Sequence, residues 1–412
     1  MATGARLPRG ITEERGEKGG PGSAPSAPGS RLVAGILSKT PTARGARKTN
    51  MKYTPLYLLL ALVIGTIAFG VAEAANPRPV LLKMPIGFST RLPALGSPII
   101  KIKDDLERAS GGSIKVKIYE PNKLVAPFEI LDAVSSGKVN AGYSAATYWA
   151  GEMPASSLFT AFPFGPEAGE YMAWLYYGNG LKLYQKMYDN AGKNVHVLPC
   201  ALITAETSGW FTKEIKSAED IKGLKIRFAG LGGKVLQRLG ASVTMLPGGE
   251  IFPALEKGAL DATEFSTPAI DERLGFHRIA RYNYFPGWHQ QATILELLIN
   301  KDRWNALTDQ QRRLIEITCQ ASMMDSFAHG EAIQAAALRR NRDEHGVLIR
   351  YWSDDMLALF EGAWQQVVME EAEKDAFFQE VWDDLSAFGV QYDLWESHAF
   401  LPRARSPEKQ RP

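Results

Sequence analysis

The sequence predicts an α/β fold of two lobes with a cleft between them and one long bracing helix. Helix and strand patterns alternate from Pro79 onward, which is typical of parallel sheets covered by helices. One helix–glycine–strand unit occurs twice, over residues 131–141 and again over 252–262, as expected for two lobes of similar design. A helical pattern from 308 to about 342 is long enough to brace both lobes.

Size and composition agree with this class. A chain of 412 residues can build two lobes, each with its own core. Its hydrophobic content of 45% and charged content of 22% are those of an ordinary globular protein. The net charge of +2 is small, and aromatic residues do not interleave with basic clusters, so we expect no nucleic-acid partner.

The N-terminal region carries an export signal. Residues 51–75 combine a positive Lys52, an apolar run over 58–71 and a small-x-small site that predicts cleavage near Ala74, and hence a periplasmic protein. The run is shorter than the roughly 20 residues that span a bilayer, although an uncleaved tether remains an alternative. Residues 1–50 are rich in Gly, Pro, Ser and Arg, and we interpret them as a disordered or mis-assigned leader.

The first predicted elements form a β-α-β unit. A helix begins at 97–98, where proline takes the first helical position, and a glycine pair ends it near 111. Residues 114–118 alternate isoleucine or valine with lysine, the pattern of a half-buried strand. A helix over 126–136 and a short buried strand over 139–144 follow.

The next elements suggest a second lobe. A strand over 224–228 leads through a glycine-rich turn into a helix over 232–239, and a long apolar strand covers 293–300. Loop-like residues at 201–209 and 288–294 are the expected crossings between lobes.

These crossings predict the domain boundaries. Lobe I comprises residues 78–204 plus 290–307, and lobe II comprises 205–289. Residues 308–400 form the long bracing helix and the C-terminal helices.

The bracing helix would be roughly 50 Å long at about 1.5 Å per residue. One apolar stripe is expected to face the lobes: Leu314, Ile317, Ala321, Met324 and Ala328. A last helical region, at about 354–388, carries plausible packing or dimer-contact groups: Leu357, Phe360, Trp364, Val367 and Val368.

The sequence offers little catalytic or transition-metal chemistry. Cys200 and Cys319 have no neighbours at zinc-ligand spacing; we interpret them as separate buried thiols, although an oxidising compartment also allows a disulfide. There is no G-x-S-x-G or H-E-x-x-H motif, and the six histidines form no ligand spacing. We therefore predict that the protein is not an enzyme. The alternative is a periplasmic enzyme with Glu206 as general base.

Two charged residues at strand ends are candidates for ligand recognition. Arg227 ends a strand just before the glycine-rich turn, where its planar guanidinium can grip a carboxylate; an exposed strand-end charge is the alternative. Glu264 ends the second buried strand, where α/β sheets bind ligands. With the Phe265 carbonyl it suits Na⁺ or Ca²⁺, and the alternative is a salt bridge to a neighbouring basic side chain.

Two further residues are expected near the cleft. Glu206 precedes a presumed crossing between lobes, and Tyr148 belongs to an aromatic pair that can wall a small pocket. Aromatic residues in such turns also serve as plain core.

The chain resembles the DctP-type solute receptors of tripartite ATP-independent periplasmic (TRAP) transporters over nearly all of 78–400. The resemblance rests on these segments: YWAGEMP at 148–154, GWFTKEI at 209–215, GLKIR at 223–227, IFPALEKG at 251–258, and GF at 275–276 with YFPGW at 284–288. The last segment is similar to the subgroup that binds α-keto and α-hydroxy monocarboxylates beside a metal ion. The resemblance implies a periplasmic-binding-protein-like fold.

The resemblance also implies roles for residues. Arg227 matches the arginine that forms a salt bridge with the ligand carboxylate, Glu264 matches a metal-binding glutamate, and Phe265 matches a position whose carbonyl joins the metal site. Glu206 stands where the subgroup usually has Gln, and Gln290 stands where it usually has Glu. An amide and a carboxylate have therefore traded places.

This exchange leaves two hypotheses open. Either Na⁺ or Ca²⁺ is retained, with Glu206 and Gln290 beside it, or the site is metal-free with a changed ligand. The resemblance implies TRAP membrane permease subunits as partners and allows a homodimer formed through the C-terminal helices. A receptor for a C4-dicarboxylate or an aromatic acid is the main alternative function.

Overall fold

The computed structural model of the protein describes residues 79–401. The predicted leader at 1–50, the signal peptide at 51–75 and the cleavage site near Ala74 lie outside this range. Within it, no helix is both long and apolar enough to cross a membrane.

Strands and α-helices alternate along most of the described chain. The strands are β1 (Val80–Pro85), β2 (Ile114–Tyr119), β3 (Ala141–Ser144), β4 (Val195–Ile203), β5 (Gly209–Phe211), β6 (Lys225–Arg227), β7 (Ser242–Thr244), β8 (Ala262–Thr263), β9 (Tyr282–Phe285), β10 (Thr293–Asn300) and β11 (Leu348–Tyr351). The α-helices are α1 (Pro98–Ala109), α2 (Ile130–Ser135), α3 (Ala168–Tyr177), α4 (Gly180–Asn190), α5 (Gly230–Arg238), α6 (Gly248–Glu256), α7 (Pro268–Leu274), α8 (Lys301–Asn305), α9 (Asp309–Asp343), α10 (Asp354–Lys374) and α11 (Ala376–Ala399).

The strands form two groups. In the first, β1 pairs in parallel with β2, the order β3-β10-β4 forms a three-stranded sheet, and a parallel bridge between Ile86 and Tyr143 connects the two. The second is a six-stranded sheet of order β11-β9-β5-β8-β6-β7. The chain leaves the first group after β4 through residues 204–208 and returns to it in β10 through residues 286–292. It passes to the second sheet again through α8 and α9, which lead from β10 to β11. The predicted lobe boundaries follow the segments 204–208 and 286–292 and stay a prediction.

The expectation of parallel sheets is only partly confirmed: β1–β2, β6–β7, β6–β8 and β9–β11 are parallel pairs, but other pairs are antiparallel. Strand β10 runs antiparallel to both β3 and β4, and β5 runs antiparallel to β8 and β9. The reason lies in the crossings. The chain passes out of the first sheet through β4 and β5 and returns through β9 and β10, so the returning strands point the opposite way.

The repeated helix–glycine–strand unit is present in both sheets. Helix α2 is followed by Gly137 with φ of 76° and then by β3, and α6 is followed by Gly258 with φ of 67° and then by β8. Glycine takes this left-handed conformation at low cost, which allows a helix to end and a strand to begin within a few residues. The second copy of the unit leads from α6 directly into β8, and Glu264 is the residue after this strand.

Helix α9 braces both sheets. It begins with a capping box between Thr308 and Gln311 and runs for 35 residues. The Ser326 hydroxyl accepts a hydrogen bond from the Leu202 amide of β4 at 2.9 Å, while further along Gln334 accepts one from the Ala269 amide of α7 at 3.1 Å. Helix α9 therefore contacts strand β4 of the first group and helix α7, which follows strand β8 of the second sheet.

The predicted apolar stripe of α9 is wrong. Ile317 and Met324 are 46% and 62% exposed. The buried face instead includes Ile315, Cys319 and Met323 at four-residue spacing, followed by small residues. Small side chains on the buried face allow a helix to lie close to a sheet, so apolarity alone did not identify this face.

The interpretation of two separate thiols is also wrong. Cys200 of β4 and Cys319 of α9 form a disulfide, with their Cα atoms 4.2 Å apart. The packing of α9 on β4 brings together two residues that are 119 positions apart in the chain. The bridge ties the bracing helix to the strand that leads into the first crossing.

The C-terminal helical region consists of two helices. Helices α10 and α11 are separated at Asp375, whose extended backbone ends the first helix and whose carboxylate accepts hydrogen bonds from the Phe377 and Phe378 amides at 2.8 and 3.1 Å. Four of the residues expected to pack or to contact a second subunit are buried in the core of this chain: Phe360, Trp364, Val367 and Val368. Leu357 is partly buried against the same core.

Candidate functional site

Arg227 is buried at the end of β6, and only 2% of its surface is exposed. Its Nη1 donates to Glu264 twice, to Oε2 and to the backbone carbonyl, both at 2.8 Å. Its Nε donates to the Leu246 carbonyl at 3.1 Å. Nη2 donates to no group among residues 79–401. The alternative of an exposed strand-end charge is therefore wrong, and one edge of the guanidinium remains available to a ligand.

Glu264 is fully buried where β8 ends. Its Oε2 accepts from Arg227 and from the Ala229 amide at 2.9 Å, while Oε1 has no hydrogen-bond partner in the described structure. The salt bridge left open by the sequence is present, and its partner is Arg227. Burial alone would raise the pKa of Glu264, but Arg227, His289 and the Ala229 amide together hold this pKa below its ordinary value. The carboxylate is thus ionised and has one oxygen free.

A second buried glutamate shows why this free oxygen matters. Glu296, in β10, receives hydrogen bonds from Trp149 Nε1 at 2.8 Å and from the Tyr184 and Tyr188 hydroxyls at 2.6 and 2.7 Å. Buried polar groups are normally satisfied in this way, since an unmade hydrogen bond costs about 1–3 kcal/mol. Glu296 is therefore a structural carboxylate, whereas the free oxygen of Glu264 points to a ligand.

Glu206 lies in the first crossing segment and is only 5% exposed. Its Oε1 accepts from the Ser266 and Thr293 hydroxyls at 3.1 and 3.4 Å. With its amide nitrogen facing this carboxylate, Gln290 donates to both oxygens, at 3.1 and 3.3 Å. Burial, followed by the nearby charges of Glu264 and Asp271, raises the pKa of Glu206 well above its ordinary value. The two residues that had traded chemical types are thus direct neighbours.

His289 was missed by the sequence analysis, which found no ligand spacing among the histidines. Its Nε2 lies 3.8 Å from Glu206 Oε2 and 3.7 Å from Glu264 Oε1, and neither ring nitrogen is hydrogen-bonded to the described residues. Glu206, Glu264 and His289 each offer one atom that could bind a metal ion, and these three atoms lie within 4.8 Å of one another. The available signal was position: His289 precedes Gln290 in the second crossing segment.

Asp271, in α7, is another buried acid that the sequence did not single out. Its Oδ2 accepts from Trp210 Nε1 at 2.8 Å. Burial raises its pKa well above the ordinary value, and the negative charge of Glu264 adds to this effect. The region around Arg227 therefore contains three buried carboxyl groups and a single guanidinium.

Aromatic side chains form the apolar walls. The Arg227 guanidinium lies 5.3 Å from the centroid of the Phe265 ring. The Tyr148 ring packs against Phe88 and Phe128 at centroid distances of 5.5 and 4.8 Å, as expected for core, yet its hydroxyl is buried without a partner in the described structure. Burial raises the pKa of Tyr148, so this group is a hydrogen-bond donor at neutral pH.

The structure brings all six residues predicted for the site to one cavity of about 30 Å³: Tyr148, Glu206, Arg227, Glu264, Phe265 and Gln290. The same cavity contacts the loops of the first sheet, the ends of β6 and β8, and both crossing segments. Its roughly 30 Å³ holds about two water molecules. A larger solute can enter only when these walls move apart.

The buried carboxylates fit a hard cation. Carboxylate oxygens of Glu206 and Glu264 are the ligand type that Na⁺ and Ca²⁺ prefer, whereas an imidazole nitrogen is not. His289 is therefore better suited to donate a hydrogen bond than to hold such an ion. A cation here would also reduce the repulsion between the buried carboxylates.

Two sheets joined by crossing segments, with a buried arginine and acidic groups where they meet, define a class: a solute-binding protein that encloses a small anion. The family described as bacterial extracellular solute-binding protein, family 7 (DctP), matches residues 95–375. The chain belongs to this family, and it is a TRAP solute receptor. The predicted family, fold class and receptor function are confirmed.

The chain is similar to three relatives of known or described ligand class. The monocarboxylate 2-oxoacid-binding periplasmic protein of Nostoc sp. is 37% identical over 286 residues, 69% of this chain and 78% of the relative. A TRAP solute-binding protein from Bordetella bronchiseptica RB50, with copurified calcium and picolinate in a mixed-occupancy dimer, is 29% identical with a TM-score of 0.76 and covers 78% of this chain and 95% of its own. One from Pseudoalteromonas atlantica T6c, with bound sodium and pyruvate, is 29% identical with a TM-score of 0.75 and covers 78% and 97%.

Proposed function

We propose that this protein captures a small 2-oxo or 2-hydroxy monocarboxylate in the periplasm and delivers it to the membrane permease subunits of a TRAP transporter. The observation that carries the proposal is the buried Arg227 with an unoccupied donor edge, beside a carboxylate with a free oxygen. An anionic solute is held by the guanidinium, and the Tyr148 hydroxyl supplies a second donor. The ligands named for the Nostoc and Pseudoalteromonas relatives have this chemistry.

We further propose that Na⁺ or Ca²⁺ accompanies the solute. Arg227 is already paired with Glu264, so an anionic solute would have to share this one buried positive charge with the Glu264 carboxylate. A cation held by Glu264, Glu206, the Phe265 carbonyl and Gln290 supplies positive charge to which a carboxylate and its 2-oxygen can both bind. Sodium with pyruvate and calcium with picolinate in the two solved relatives support this pairing.

A thermal-shift panel tests the solute class. Purified mature protein is mixed with pyruvate, lactate, succinate and benzoate at equal concentrations, each with Na⁺ or Ca²⁺ present. Pyruvate or lactate is expected to raise the melting temperature most, because a ligand at 100 times its Kd adds about 2.7 kcal/mol to the free energy of unfolding. A larger shift with succinate or benzoate would contradict the monocarboxylate proposal and support the alternative receptors.

Elemental analysis tests the cation. Protein is dialysed against a chelator in a sodium-free buffer, loaded with pyruvate with or without added Ca²⁺ or Na⁺, and freed of unbound ions before measurement. About one ion per chain should be retained with the ligand. Pyruvate bound at full affinity without any metal would favour the metal-free site.

We also propose a homodimer through the C-terminal helices. The end of α11 exposes Val390, Leu394 and Trp395, at 73%, 68% and 62%. Exposed apolar groups on neighbouring turns are typical of a protein interface, and the Bordetella bronchiseptica relative is a dimer. Light scattering should give twice the chain mass for the wild type and the chain mass for a Leu394→Asp, Trp395→Asp variant; a monomeric wild type would refute the dimer.

A further inference from the structure

The buried cavity has a larger neighbour outside it. This outer pocket of about 350 Å³ lies between the segments 87–92 and 120–127 on one side and 247–250 on the other. Two residues line both compartments: Phe88 and Phe265. Their rings are therefore shared walls between the buried site and the outer pocket.

The Phe265 ring is held from several sides. Arg227 lies 5.3 Å from its centroid, and Phe276 packs edge-on at 6.4 Å. Gly248, at the beginning of α6, also lies against the ring. A Cβ at Gly248 would lie 2.6 Å from Cζ and 2.8 Å from Cε2 of Phe265, closer than real Cβ atoms approach. The absence of a side chain at Gly248 thus lets the ring occupy this position.

The next residue provides a natural comparison. A Cβ at Gly249 would meet no atom within 4 Å, and neither glycine has a positive φ. Both residues lie in the first turn of α6, so alanine changes local helix propensity equally at the two positions. The two positions differ in burial and in the contact with Phe265: Gly248 is buried against the ring, whereas Gly249 is exposed.

We propose that Phe265, seated on Gly248, is a length filter that separates the buried carboxylate site from the outer pocket and restricts the solute to short acids. The proposal rests on the function proposed above and narrows its substrate class. With the carboxylate end fixed at Arg227, a longer aliphatic tail meets the shared aromatic wall. Without the Phe265 ring, the two compartments become continuous, and the tail can occupy the outer pocket.

Truncation of the ring tests the filter. Calorimetry measures the Kd of pyruvate and of 2-oxooctanoate for the wild type and for Phe265→Ala, which keeps the backbone carbonyl. The ratio of the 2-oxooctanoate Kd to the pyruvate Kd should fall at least tenfold in the variant, the gain expected from burying about two methylene groups. Use of the ratio removes any loss that both acids share, including that of the Arg227–Phe265 contact.

Alanine substitutions at Gly248 and Gly249 test the contact between Gly248 and the Phe265 ring. Gly248→Ala should push the ring against the Arg227 side of the site and weaken pyruvate binding at least about tenfold, whereas Gly249→Ala should stay within about twofold of the wild type. Circular dichroism and thermal unfolding establish that both variants are folded. If Gly248→Ala does not fold, the Phe265→Ala ratio still decides the question.

The outcomes are distinct. An unchanged ratio in Phe265→Ala, or a folded Phe265→Ala that binds neither acid, would overturn the filter, and so would equal pyruvate affinities for the two alanine variants. A wild type that binds neither pyruvate nor 2-oxooctanoate would instead refute the proposed function itself.

Discussion

At the scale of single residues, the site is defined by a difference in hydrogen bonding between two buried carboxylates. Glu296 and Glu264 are both fully buried, but only the first has a hydrogen bond for each oxygen. Glu264 shares its other oxygen with Arg227, and Glu206 stands nearby with a raised pKa. A protein interior tolerates such a concentration of acids when a cation balances their charge or a proton neutralises some of them.

Arg227 gives the sharpest residue-scale prediction. Arg227→Ala removes the ligand's charge partner and leaves Glu264 buried without its own, a loss of roughly 3–5 kcal/mol for a buried pair. Affinity for pyruvate should fall about a hundredfold or more, and the melting temperature should also fall. Calorimetry and thermal unfolding measure the two effects.

Arg227→Lys is the matched control, since it keeps the charge but not the planar fork. It should recover most of the stability and only part of the affinity. An Arg227→Ala affinity within about threefold of the wild type would remove this residue from the site.

At the scale of elements, the contact between α9 and β4 decides how the brace is attached. The disulfide between Cys200 and Cys319 closes a loop of 119 residues, and long loops lose the most entropy in the unfolded chain. The double variant Cys200→Ser, Cys319→Ser should be less stable by about 2–5 kcal/mol. Denaturant unfolding of the wild type with and without reductant provides the comparison; equal stabilities in all samples would show that the bridge contributes nothing.

The contact between α3 and α11 predicts a dependence on pH. Burial, aided by the charges of Asp393, Glu396 and Glu167, raises the pKa of Glu170 from 4.5 to about 7. Since the folded-state pKa is raised, the folded state binds a proton that the unfolded chain has lost between about pH 4.5 and pH 7. This group therefore reduces stability as pH rises through that window.

Glu170→Gln removes this effect. The variant should melt at a higher temperature than the wild type at pH 8, and most of the difference should be lost at pH 5. Glu373→Gln, at an exposed position of α10, is the control for the same change of side chain. A Glu170→Gln difference that is the same at both pH values would contradict the assignment.

At the scale of the whole molecule, the cavity of about 30 Å³ implies motion. Its walls come from both sheets and from the segments 204–208 and 286–292 that join them, so these two segments are the expected hinge. Each C-terminal helix also contacts a helix that follows a strand of a different sheet. Lys234 of α5, which follows β6, pairs with Glu371 of α10, and Trp174 of α3, which follows β3, donates to Asp384 of α11 at 2.8 Å.

Hinge closure can be measured in solution. X-ray scattering should show a smaller radius of gyration when pyruvate and a cation are added to ligand-free wild type, because closure brings the two sheets together. The same additions should leave Arg227→Ala unchanged at concentrations that saturate the wild type. A radius of gyration that does not respond in the wild type would argue against the two-lobe closure.

The sequence by itself determined most local structure. The lysine alternation of β2, the two helix–glycine–strand units and the capping box of α9 depend on neighbours within a few residues, and the predicted elements agree with the structure there. It also placed Arg227 and Glu264 at strand ends, where they lie. Conformational preferences that depend only on nearby residues can be recognised in a short segment of the chain.

Only the tertiary structure decided which distant groups meet. The disulfide and the buried face of α9 depend on how this helix packs on β4. The antiparallel returning strands and the place of His289 near Glu206 and Glu264 depend on how the chain passes between its sheets. Those contacts join residues that are tens to more than a hundred positions apart. No periodicity or spacing encodes such pairs, since they arise from the way complete elements pack.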